Sequence, residues 1–119
     1  MSQDIAVLGV GMHPWGKWGK NFSEYGVYAA RAALKDAGIP WQDVGFVSGA
    51  ATMRCGYPGY VAGATIAQAL GWQGAQVNTS YAACASGSQA LAAARAKILA
   101  DFMTWALPVF EAADSITSG

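Results

Sequence analysis

The residue with the clearest chemical potential is Cys84, in the run Val77-Asn-Thr-Ser-Tyr-Ala-Ala-Cys-Ala-Ser-Gly-Ser-Gln-Ala-Leu91. A short strand pattern leads into small residues, then the cysteine, then Ser86-Gly87 and an alanine-rich helical stretch. A cysteine at a helix start meets unpaired backbone N–H groups and the positive end of the helix dipole. Both favour the thiolate, which is the nucleophilic form. The same N–H groups suit an oxyanion formed when an acyl carbon is attacked. Ala82, Ala83, Ala85 and Gly87 leave room for a substrate or a neighbouring chain to approach. The competing reading is a small buried core residue, the commonest fate of a lone cysteine.

The other reactive side chains fit chemistry less well. His13, the one histidine, falls in a glycine-rich segment and is expected to make ordinary loop hydrogen bonds. Cys55, in Arg54-Cys-Gly-Tyr-Pro58, reads as incidental, and Tyr57 and Tyr60 beside it suit an interface. One histidine and two distant cysteines match no zinc pattern, and two cysteines are too few for a disulfide framework. Gly9-Val-Gly11 lacks the spacing and the following acid of a dinucleotide loop.

Positioning Cys84 requires an alternating set of elements. Ile5-Ala-Val-Leu-Gly9 reads as a buried strand, followed by a loop over residues 11–19. A helix is expected over residues 25–37, capped by Asn21 or Ser23 and ended by Gly38. Strands are expected at 44–48 and 75–79, and helices at 60–70 and 88–100. The last helix is apolar around nearly its whole circumference and predicts burial on more than one side. A fourth strand over 105–109 is doubtful, because Pro108 would remove a ladder donor from a central strand. The alternation argues for an α/β layered fold.

Composition narrows the function classes. Of 119 residues, 54% are apolar and 12% charged, about half the usual charged share, so much of the surface is expected to be covered by something else. Zero net charge provides no field for nucleic acid or an anionic membrane. No run approaches the ~20 apolar residues of a spanning helix, and the start Met1-Ser-Gln-Asp4 does not resemble a signal peptide. The expected compartment is cytoplasmic.

Cys84-Ala-Ser-Gly-Ser-Gln-Ala-Leu91, preceded by Val77-Asn78, resembles the nucleophile motif of the thiolase superfamily, most closely its lipid-transfer-protein and acetyl-CoA acetyltransferase members. Ala6-Val-Leu-Gly-Val-Gly-Met-His-Pro-Trp-Gly16 looks like the first strand and loop of that family. Ala29-Ala-Arg-Ala-Ala-Leu-Lys-Asp-Ala-Gly38 looks like its first helix. Gly59-Tyr-Val-Ala-Gly-Ala-Thr-Ile-Ala-Gln-Ala-Leu-Gly71 looks like the dimer-interface segment before the nucleophile. The resemblance covers about residues 4–100. It implies the N-terminal, nucleophile-bearing portion of a layered αβαβα fold over 1–100, with a diverged or truncated tail over 101–119.

For chemistry, the resemblance implies a coenzyme A thioester as substrate, no bound cofactor, and acyl transfer through Cys84 in two steps. The family takes its histidine base and second cysteine from a C-terminal half with no counterpart in these 119 residues, so the chain is expected to be incomplete alone. The partners implied are a second copy, or a thiolase-like or accessory subunit. The expected symmetric contact runs through residues 59–70 and 76–79. Two alternatives stand beside acyl transfer: a non-catalytic acyl-CoA-binding or assembly module, and a partner-dependent thiolase-like lyase.

Overall fold

A computed structural model describes residues 5–16, 18–51, 62–101 and 105–111. The element order is α1 (Phe22–Ala37), β1 (Phe46–Ala51), α2 (Ala62–Leu70), β2 (Gln76–Ser80), α3 (Ser86–Asp101) and β3 (Ala106–Glu111). Short 3₁₀ turns at Trp41–Asp43 and Ala83–Ala85 precede β1 and α3. The strands form one parallel sheet in the order β2-β1-β3. The protein is an α/β fold, as the alternation predicts.

The ends of α1 are set by local chemistry. Asn21 has extended backbone angles, and its side chain accepts the Glu24 N–H at 2.9 Å, satisfying an orphan donor of the first turn. Gly38 closes the helix at φ 71, and its N–H reaches back to the Leu34 and Lys35 carbonyls. Of the two caps the sequence allows, Asn21 is the one used; Ser23 Oγ donates to its side-chain oxygen at 2.6 Å.

Side chains alternate across the sheet and divide the molecule into three layers. Val47 and Ala51 of β1 and Leu107 and Val109 of β3 pack with Phe22 and Ala30 of α1 and Ala62, Ile66 and Ala67 of α2. Gly49 and Gly63 bring β1 and α2 together backbone to backbone: a Cβ on Gly49 would strike the Gly63 backbone, and one on Gly63 the Asn78 carbonyl. The Gly63 N–H donates to Thr79 Oγ1 at 2.9 Å, so the first turn of α2 is tied to β2. On the opposite face lies α3, held by Ser48 Oγ donating to the Ala90 carbonyl at 2.8 Å and by Gly87 against the Phe110 ring.

Three expectations change. Residues 5–9 are not a buried strand: they run extended outside the sheet, with Val7 70% and Leu8 49% exposed. The helix expected at 88–100 begins at Ser86 and lies on the sheet through Ala90 and Ala94, while Leu91 is 50% exposed. It is therefore covered on one side, not all round, because the described chain supplies a single layer against it. The doubtful fourth strand exists as β3. The Trp105 carbonyl accepts the Gly45 N–H at 3.1 Å. Backbone groups alternate sides along a strand, so Leu107 and Val109 bond to β1 and Pro108 turns its nitrogen to the open edge. An edge position tolerates proline, since no ladder donor is lost there.

Candidate functional site

Cys84 sits in the middle of the 3₁₀ turn joining β2 to α3, at the carboxyl end of the parallel strands. That end of an open α/β sheet is where ligands usually bind. The side chain is exposed and carries no disulfide. Ala83 just before it has φ 48, the left-handed region that a Cβ disfavours. The chain therefore folds sharply at the cysteine rather than passing smoothly into the helix.

Ser86 holds that fold. It is fully buried, its Oγ accepts the Ala82 N–H at 3.0 Å and donates to the Ala83 carbonyl at 2.7 Å. The Ala85 N–H bonds the Ala82 carbonyl at 2.9 Å, and the Ser86 N–H bonds the Ala83 carbonyl. These bonds fix the cysteine's place. They also occupy the two N–H groups that follow it, so neither is a free donor for an oxyanion. Sequence reasoning missed the role of Ser86 by starting the helix at Ser88. The available signal was a serine placed to bond its own backbone where a strand pattern gives way to a helix pattern.

The structure does not bring His13 into service for Cys84. Its Nδ1 faces the Pro14 carbonyl at 2.8 Å and its Nε2 faces Lys20 Nζ at 3.0 Å. Both ring nitrogens are thus engaged with neighbours in the loop. Trp18, Tyr25 and Tyr28 pack edge-on around the ring, with centroids at 5.6, 4.8 and 4.7 Å. Trp18 Nε1 also donates to the Pro14 carbonyl, at 2.8 Å. The expectation of an ordinary hydrogen-bonded loop histidine agrees with this geometry. The sequence did not foresee the aromatic cluster, whose members lie up to fifteen residues apart on a loop and on α1.

Cys55, Tyr57 and Tyr60 lie outside the described residues. Among the described residues, no group of three or more histidine, cysteine, aspartate or glutamate side chains is placed to hold a metal ion. No described helix is long and apolar enough to cross a membrane. No protein-family model matches this chain, and no curated protein matches it.

Proposed function

We propose that the chain is the nucleophile-bearing part of a thiolase-like acyl-CoA acyltransferase, with Cys84 as the acyl acceptor. The observation that carries this reading is an exposed cysteine on a strained strand-to-helix turn at the carboxyl edge of a parallel sheet. Such a turn holds a nucleophile clear of the backbone on both sides, where a thioester carbonyl can reach it.

The thiolate sulfur attacks the carbonyl carbon of an acyl-CoA and forms a new C–S bond. The tetrahedral oxyanion collapses, the C–S bond to coenzyme A breaks, and the coenzyme A thiolate takes up the proton that the cysteine gave up. A second acyl-CoA, deprotonated at its α-carbon, then attacks the acyl-cysteine. A C–C bond forms and Cys84 leaves as the thiolate. The base for the α-carbon is not among the described neighbours of Cys84, since His13 is engaged with Pro14 and Lys20. It is assigned to residues outside these 119, in a C-terminal half of the thiolase type or in a thiolase-like or accessory subunit. The first step needs only the exposed thiol and is the step to test.

Incubation with acetyl-CoA, intact-mass measurement and peptide mapping provide that test. The expected result is one acetyl group on Cys84, absent from Cys84→Ala. A folded protein with no adduct sinks the acyltransferase reading and favours a non-catalytic acyl-CoA-binding or assembly module.

A further inference from the structure

The helices on the two faces of the sheet overhang its outer edge at β3, and between them runs a groove of about 700 Å³. Small-molecule sites span about 300–1,000 Å³ and are mostly apolar, with a few polar groups that orient the ligand. The walls here are α1 at Ala33 and Leu34 and α3 at Leu91 and Ile98, and the edge of β3 is the floor. Residues 5–11 line the remaining side. Close backbone contact pins them there, since a Cβ on Gly9 or Gly11 would strike the main chain of α1. The segment therefore walls the groove rather than filling it.

Charge picks out the occupant. Among the lining residues Arg95 of α3 is the one with a charged side chain; the others are aliphatic, glycine, proline or aromatic. No acid stands one helical turn from Arg95, where Leu91, Ala92, Ile98 and Leu99 lie. Among the described residues no hydrogen bond or ion pair engages its guanidinium. A guanidinium offers paired N–H donors that match one carboxylate, and apolar walls concentrate its field. Pro108 then decides between a hydrocarbon chain and a β-strand as the body of the ligand. Midway along β3 it presents a ring to the groove where an incoming strand would look for a donor. A hydrocarbon chain needs none.

We propose that the groove binds a long-chain fatty acid, with its chain along β3 between α1 and α3 and its carboxylate on Arg95. The chain covers Leu91, now 50% exposed, and each methylene taken out of water adds to the affinity. Cys84 lines no part of the groove, so this site stands or falls independently of the acyl acceptor.

Calorimetric titration of the 119-residue chain with palmitate, kept below its micelle concentration, tests this. The expected result is one palmitate per chain. Arg95→Gln is expected to weaken binding about tenfold or more, the loss typical of a hydrogen-bonded charge, and Arg95→Lys to weaken it less. Leu91→Glu, at an exposed position, places a carboxylate one turn from Arg95 and is expected to abolish binding. Hexadecylamine, with the same chain and the opposite head charge, is expected not to compete. The wild-type titration decides even where a variant does not fold: a folded chain that takes up no palmitate overturns the proposal. Unchanged affinity in Arg95→Gln, or equal binding of hexadecylamine, also overturns it by marking an unselective apolar surface. So does binding that fades as protein concentration rises, which assigns the groove to a second copy. Binding of palmitoyl-CoA without palmitate overturns it as well, since the groove then serves a thioester.

Discussion

The two faces of the sheet are built differently. Toward α1 and α2, Phe22, Val47 and Ile66 are fully buried, and two glycines let α2 lie directly on β1. Toward α3 the contacts are the buried Phe46, with Lys97 Nζ over its ring at 5.7 Å, alanines, one serine hydroxyl bonded to a helix carbonyl, and a glycine under a ring. The first face has the large side chains that hold a domain together. The second has one large buried ring, Phe46, and a hydroxyl bonded at its centre, and the helix it carries leads out of the turn that bears Cys84. Stability and chemistry are thus placed on opposite sides of three strands.

Ile66→Ala should break the first face hardest. It removes a fully buried side chain between α2 and α1, and a loss of about 2–5 kcal/mol is expected in urea unfolding. Ser48→Ala should cost less, about 1 kcal/mol, by deleting the buried bond to Ala90. It sharpens the comparison because Ser48 points only to the α3 face. If α3 is held chiefly by that bond, exchange protection should fall in α3 and persist in α2. Leu91→Ser should change stability by no more than about 0.5 kcal/mol while the outer face of α3 is uncovered. A larger loss would mean that Leu91 is buried in solution by a partner or a second copy.

The same contrast explains how much could be read from the sequence. The α1/α2 face was legible because its signals are local: the Asn21 cap, the Gly38 stop and the helical spacing of apolar residues are properties of a few neighbours. The turn at Cys84 was legible in kind, since small residues between a strand pattern and a helix pattern imply a tight junction. Its mechanism was not, because the Ser86 bonds and the left-handed Ala83 follow from closure of the junction itself. Residues 5–9 misled for a different reason. Hydrophobic pattern reports what a segment could bury, whereas its partner is chosen by the whole fold. Pro108 misled in the opposite direction: proline forbids a central strand, and only the strand order reveals that β3 lies at an edge.

That proline also bears on how the protein keeps to itself in a crowded solution. A bare strand edge is a template on which further chains can add one after another and grow into insoluble assemblies. At Pro108 the template has a missing donor halfway along a six-residue strand, so an incoming strand meets a gap wherever it tries to continue the ladder. The residue that seemed to deny the strand its place acts as a guard on it, admitting a short, imperfect partner and discouraging an endless one.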